Sequence, residues 1–274
     1  MGTHILVTGA RGKTGREVVR MLRDSSGVVV RSGSSRPATE DDAVRFDWHD
    51  RATWAPAVAG ADAVYLMRPD VPDAPHLVAD LVDLAEGAHI VLLSEQGAEE
   101  LAPDSWARRV ETAVTERAAR WTLLRPSWFH QVLTDRRYYL DSVRAGELRL
   151  PFGGQGIAWV DARDIAAVAV AALRSPERHG GQAYTLTGPE SVPLDVVAGY
   201  LSRVVGRQVR AVDPPPQDEL DGLGTWEHEI VADLYERVRR GRFGLVTDDV
   251  LAVTGRPARS IEAFITEHAS IWAA

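Results

Sequence analysis

The chain has no cysteine among its 274 residues, which excludes disulfides, thiolate nucleophiles and Cys-based metal sites. It has a single lysine, Lys13, and its other basic residues are arginine; any mechanism that needs a lysine elsewhere is excluded too. No apolar run approaches the roughly 20 residues of a membrane-spanning helix. The eight histidines are scattered without an HExxH-like spacing, so no dedicated metal site is expected. A net charge of −8 with no basic run argues against nucleic acid as a partner, because that affinity rests on neutralising phosphates. Met1-Gly2-Thr3 leads directly into an apolar run, which leaves no room for a signal peptide. A cytoplasmic protein acting on a small molecule is expected, with a homodimer as the assembly considered.

What is present is ordinary globular composition, 45% hydrophobic and 26% charged, in a length suited to one large domain or one domain with a lobe. Short β-branched runs alternate with amphipathic stretches through the first half. Strands are predicted at "HILVT" from residue 4, "VVVRS" from 28, "VRF" from 44, "AVYLM" from 63, "HIVLLS" from 89 and "WTLLR" from 121. Helices are predicted at "KTGREVVRMLRD", "DRATWAPAVAG", "PHLVADLVDLAEG" and "SWARRVETAVTERAA" between them. Such alternation implies an α/β fold, a doubly wound parallel sheet with helices on both faces. The second half adds a helix at "VDARDIAAVAVAALRSP", a strand at "QAYTLTGPE", a helix at "PLDVVAGYLSRVVG", a strand at "RQVRAVDPPP" and three closing helices around 226–240, 247–254 and 260–272. The expected organisation is a Rossmann domain mainly in 1–150, completed by 158–186. A small, mostly helical substrate lobe is expected from 187–274 with 131–157.

Gly9, Gly12 and Gly15 form GxxGxxG directly after a strand and at the opening of a helix. The first glycine allows a tight turn, the second lets a pyrophosphate approach the backbone, and the third lets helix and strand pack closely. A helix N-terminus there offers N–H groups and partial positive charge to an anion. Arg11, Lys13 and Thr14 lie inside this loop and are expected to hold the cofactor with it. GxxxxGK[ST] is not present, so this is not a Walker loop. After the second strand comes "RSGSSRP", with Arg31, Ser34, Ser35 and Arg36 and no acid. A carboxylate at that point suits the 2′-hydroxyl of NAD, whereas arginine and serine suit a 2′-phosphate. NADP(H) is therefore the expected cofactor, with Ser34 and Arg36 on its phosphate. Asp47 and Trp48 in "RFDWHD" are placed to meet the adenine, although a loop tryptophan serves equally as a packing cap.

The segments "VTGARGKTGREVVRML", "FDWHDRATWAPAVAGADAVYLMRP", "VLLSEQGAEE", "WTLLRPSWFHQV", "GIAWVDARDIAAVAVAAL", "YTLTGPE" and "VTDDVLAVTGRP" resemble the NmrA-like atypical short-chain dehydrogenase/reductases. The nearest branch is that of ergot-alkaloid biosynthesis, with its agroclavine-dehydrogenase-like reductases, next to the NAD(P)H-quinone oxidoreductases. The resemblance spans essentially the whole chain. It implies a place in secondary metabolism, a sheet of order 3-2-1-4-5-6-7 and a substrate cleft under the C-terminal lobe. It further implies that Leu66, Met67, Arg68 and Pro69 pass the pyrophosphate and nicotinamide ribose, and that Ser94 and Pro126 to Phe129 line the nicotinamide pocket.

Three departures from that family matter. With Lys13 the only lysine, the Tyr-x-x-x-Lys dyad of short-chain dehydrogenases has no lysine to use. Glu95 follows Ser94 where relatives often carry a small or hydroxyl residue. Arg68 and His130 stand where a small residue and a methionine are expected. An iminium or quinone needs no such dyad, which favours an NADPH-dependent reductase of an electron-poor, conjugated or aromatic small molecule. Trp128, Phe129, Tyr139 and Trp159, with Tyr138, are candidates to stack on a planar substrate, core packing being the alternative for each. His130, Tyr138 and Glu95 are the candidate proton donors. The rival reading is a non-catalytic NADP(H) redox sensor acting through a protein partner.

Overall fold

The computed structural model describes residues 2–37, 39 and 42–272. Its strands are β1 (Thr3–Val7), β2 (Val28–Ser34), β3 (Ala43–Arg45), β4 (Ala63–Met67), β5 (His89–Leu93), β6 (Arg120–Pro126), β7 (Glu147–Arg149), β8 (Gln182–Leu186) and β9 (Arg210–Val212). Its α-helices are α1 (Gly15–Arg23), α2 (Trp54–Val58), α3 (Ala74–Leu84), α4 (Trp106–Thr115), α5 (Leu140–Ala145), α6 (Ala162–Arg174), α7 (Pro176–His179), α8 (Leu194–Val205), α9 (Thr225–Arg239), α10 (Asp249–Thr254) and α11 (Ile261–Glu267).

The chain forms two compact units, one of residues 1–126 and 162–186, the other of 127–161 and 187–274. The first is built on a seven-stranded sheet of order β3-β2-β1-β4-β5-β6-β8, every pair parallel. This is the doubly wound order expected, its seventh strand being β8 because β7 belongs to the other unit. Residues of β4 and β5 are buried on both faces, which explains their uninterrupted apolar sequence. Alternate residues then divide between two layers. Leu6, Val64, Leu66, Ile90, Leu92 and Leu123 join Trp54, Leu81 and Val110 in the core beneath α2, α3 and α4. On the opposite face α1 packs against α6. Each large side chain fully enclosed in this way contributes about 1.5–3 kcal/mol.

The expected boundary at residue 150 lies elsewhere. The chain leaves the sheet once β6 ends at Pro126, and residues 127–161 pack around the core of the second unit. That unit holds a two-stranded parallel sheet of β7 and β9, with α5 and α8 to α11 around it. Its core is formed by Leu148, Phe152, Ile157, Trp159, Val197, Leu201 and Phe264 among others. The Trp272 indole donates to the Leu133 carbonyl at 3.0 Å and ties the last turn to this core. Neither α5 nor β7 carries a periodic pattern long enough to read in sequence.

Candidate cofactor site

The glycine loop follows β1, and its geometry is dictated by backbone contacts. Gly9 has φ +60°, a conformation that costs a residue with a Cβ. A Cβ on Gly15 would collide with the Gly9 carbonyl oxygen, so the first turn of α1 lies directly on the turn that precedes it. Gly12 is less confined: a Cβ there would sit 3.1 Å from the Gly9 oxygen and 3.2 Å from the Met67 methyl. Gly15→Ala is expected to destabilise the protein by about 1–3 kcal/mol through overpacking against backbone. Urea unfolding measures it; a variant as stable as the parent would show that α1 draws back freely.

Thr14, expected to face the cofactor, turns its hydroxyl inward instead. It is buried and accepts a hydrogen bond from the Tyr65 phenol of β4 at 2.8 Å. Burial pushes the Tyr65 phenol well up, which keeps it a donor. The Thr14 side chain is therefore engaged within the protein.

Three of the expected cofactor residues meet at the end of β2. Arg11 donates to the Arg36 carbonyl at 3.3 Å, the Ser34 hydroxyl donates to the same oxygen at 2.8 Å, and the Arg36 amide donates back to Ser34 at 3.1 Å. Arg11 and Ser34 also line a groove of about 440 Å³, together with Arg16, Arg20, Arg23 and Ser32. Three of those cations are already ion-paired, Arg16 and Arg20 with Glu17 at 3.7 and 3.0 Å and Arg23 with Asp42 at 2.8 Å. The hydrogen bond from Arg23 holds the Asp42 carboxyl below its usual range. Arg31 points away, donating to the Ala57 carbonyl at 2.9 Å.

A second groove, of about 380 Å³, brings Gly9, Ser34, Ser35, Asp47, Trp48, Met67, Arg68 and Pro69 together, with His49 and Val71 as lining that sequence reading missed. Much of "DWHDRATW" is spent on its own loop. The Asp47 carboxylate accepts from the His49 amide at 3.0 Å, and its carbonyl accepts from the Trp54 indole at 2.7 Å. Trp48 packs edge-on to Phe46 and Trp54, with centroids 5.1 and 5.4 Å away, and donates to the Met67 carbonyl at 3.2 Å. Packing cap and groove wall are the same residue here.

The two unusual charges, Arg68 and Glu95, prove to be partners. An Arg68 guanidinium nitrogen lies 2.7 Å from a Glu95 carboxylate oxygen. The guanidinium also stacks on Trp106, 4.4 Å from the ring centroid, and the Trp106 indole donates to the Val71 carbonyl at 2.9 Å. Glu95 is thus the counter-charge that Arg68 meets at the end of β5. Trp106 was missed because nothing in sequence links it to a strand end nearly forty positions earlier.

Ser94 departs from its expected role for a similar reason. Its hydroxyl is buried and donates to Glu111 of α4 at 2.7 Å. Glu111 in turn receives two hydrogen bonds from Arg125, both 2.8 Å, while Arg125 also pairs with Glu99 at 3.2 Å. Pro126 accepts from the Gln96 amide at 3.0 Å, which fixes the backbone at the ends of β5 and β6.

The candidates of the second unit fall apart as a set. Trp159 is core, 1% exposed, with its indole aimed at the Val192 carbonyl at 3.4 Å, so it does not line a cleft. Trp128, half-buried, meets Phe152 and Phe243 edge-on at 5.1 and 6.0 Å. Phe129 bridges to Val160. His130 is wholly enclosed, its ring 5.2 Å from that of Phe264 and its Nδ1 3.7 Å from Asp161, so no solvent reaches it as an acid. Neither ring nitrogen has a hydrogen-bond partner among the described residues. Tyr138 is 52% exposed on the turn before α5. Tyr139, the residue preceding α5, has its phenol raised by burial, with Tyr235 and Glu219 adding to the effect.

A family model described as NAD(P)H-binding matches residues 9–176. The chain belongs to the NAD(P)H-binding family. It shares its fold with NmrA, a negative transcriptional regulator, at TM-score 0.75 and 18% identity over 98% of this chain and 95% of that one. It is 34% identical to the NAD(P)H azoreductase of Xenophilus azovorans over 98% of this chain and 99% of that one. It is 36% identical to the (4-alkanoyl-5-oxo-2,5-dihydrofuran-3-yl)methyl phosphate reductase of Streptomyces griseus, again over 98% and 99%. The NADPH-dependent quinone oxidoreductase of Escherichia coli shares the fold, with TM-score 0.80 at 22% identity over 96% of this chain and 99% of that one. The NAD(P)H-binding member is an oxidoreductase in a group of NAD(P)H-dependent reductases. Among its described residues no helix is long and apolar enough to cross a membrane. Its site residues suit a dinucleotide: a left-handed Gly9, an α1 start pressed onto it, and a groove running from that turn to Trp48.

Proposed function

We propose that the chain is an NADPH-dependent reductase of an electron-poor small molecule, an iminium, a quinone or a conjugated aromatic compound. The observation that carries this is the groove joining Gly9 to Trp48, Met67 and Arg68, with Ser34 at its margin and Arg11 beside it. Arg11, Ser34 and the Arg36 loop would hold a 2′-phosphate, the start of α1 the pyrophosphate, and Trp48 with Asp47 the adenine end. The bound dinucleotide supplies the hydride. The chain's own contribution is orientation, which accounts for much of the acceleration in such transfers. With Lys13 the sole lysine, no Tyr-x-x-x-Lys pair assists, and acceptors that are electrophilic without protonation by the protein fit best. Azo and conjugated-lactone reduction by the two relatives is compatible chemistry. The second unit, with its half-buried Trp128 and Phe129, is the proposed substrate-recognising part.

The test is oxidation of NADPH against NADH over a panel of quinones, azo dyes, cyclic imines and enones. Turnover is expected with NADPH, and Arg11→Ala is expected to raise KM for NADPH about tenfold while leaving KM for NADH in place. Equal use of both cofactors, unchanged by that substitution, overturns the 2′-phosphate assignment. Binding without turnover of any acceptor, together with co-purification of a protein, would make the chain a sensor.

A further inference from the structure

We infer that Glu95 is an internal competitor for the cofactor, an anion that shares Arg68 with the dinucleotide and so speeds its release. The inference rests on reading the Gly9–Trp48 groove as the NADP(H) site. Arg68 follows β4 directly and lines the groove that also holds Gly9, the residue at the pyrophosphate turn. Its side chain is only 15% exposed, and the surrounding contacts leave it little freedom. The guanidinium carbon sits over the Trp106 ring, 4.4 Å from its centroid, and Trp106 is itself tied to the Val71 carbonyl at 2.9 Å. Glu95 takes one guanidinium edge at 2.7 Å. Asp70 approaches the other amino nitrogen at 3.9 Å but is 84% exposed, so its charge is largely screened by water.

A guanidinium offers five N–H donors in a rigid fork, and stacking keeps that fork in place for a second acceptor. The groove therefore presents a positioned cation to an incoming diphosphate. That cation is already half neutralised by a carboxylate which cannot leave, because it belongs to the loop after β5. Two anions must then share one cation. The carboxylate lowers affinity for both redox forms, since both carry the same diphosphate. A reductase that has to exchange its dinucleotide every turnover gains from the weaker hold, because product release limits many enzymes.

Glu95→Gln keeps the shape and an acceptor oxygen but removes the charge. Calorimetry with NADP+ and with NADPH is expected to show both binding roughly fivefold tighter, within what a partly exposed ion pair supplies. Stopped-flow release of NADPH, followed by its fluorescence, should slow by a similar factor. Glu95→Asp, which keeps the charge, should remain near the parent. In an Arg68→Met background, Glu95→Gln should change nothing, because the shared cation is gone. Unchanged or weaker binding by Glu95→Gln overturns the proposal, as does tightening that persists without Arg68. If the parent chain binds neither dinucleotide, the reading of the groove fails, and the inference falls with it.

Discussion

Replacing Glu111 with leucine is expected to destabilise the protein by about 3–5 kcal/mol, the cost of leaving one partner of a buried ion pair alone. Glu111 is 2% exposed, and Arg125, whose two hydrogen bonds it receives, is 11% exposed. Removing the carboxylate strands that guanidinium between α4 and β6, leaving it the partly exposed Glu99 at 3.2 Å. It also takes away the acceptor of the Ser94 hydroxyl, in a place where water does not readily substitute. Urea unfolding of Glu111→Leu reads the loss directly. The double variant Glu111→Leu/Arg125→Met should regain much of it, since apolar pairs often replace buried ion pairs at little cost. A single variant within 1 kcal/mol of the parent, about the worth of a surface pair, would show that solvent already reaches the network.

The second large effect is loss of stability in acid, centred on His89. This histidine opens β5, is buried, and shares a hydrogen bond of 2.9 Å with the Thr122 hydroxyl, which donates to the His179 carbonyl at 2.7 Å. Burial, then the positive charges of Arg120 and His179, push its pKa down from 6.5 to about 4. Folding therefore favours the neutral ring. That preference is fully present above the unfolded value of 6.5 and is lost as pH falls through the window down to about 4. The contribution lost between pH 7 and pH 4 is about 3 kcal/mol. Burial and Arg178 lower the His179 pKa as well, so its loss falls on the same side. Unfolding free energies at those two pH values should differ less for His89→Leu than for the parent, by about this amount. The same pH slope in both would show that His89 takes up its proton without unfolding.

The sheet was legible because its information is local. A buried parallel strand such as "AVYLM" or "HIVLL" is apolar throughout, and the helices between carry their own periodicity. The glycine turn was legible for the same reason, since the contact of Gly15 with Gly9 lies within seven residues. Direction was not legible. Neither Trp159 nor Trp128 lies in a helix or strand, yet one is core and the other half-buried, because such segments give no period by which to orient a side chain. Thr14 and Ser94 occupy positions that suggest cofactor contact, but their hydroxyls turn to Tyr65 and Glu111 from distant elements. The pairing of Arg68 with Glu95 depends on neighbouring strands ending together. Sequence reading marked both as odd, and only the register of β4 beside β5 shows why each tolerates the other.

The first unit is made of two stretches of chain, 1–126 and 162–186, and this sets the order in which it can be finished during synthesis. The glycine turn and α1 emerge from the ribosome well before α6, the helix packed against α1, and β8, the last strand of the sheet, which follow only after a stretch belonging to the other unit. Until then one side of β6 has no neighbour, and α1 rests on β1 and β2 without the helix that packs beside it. A nascent chain halted between those stretches would carry a nearly complete nucleotide-binding turn on a sheet with an open edge, the state in which chaperone capture or misassociation is most favoured.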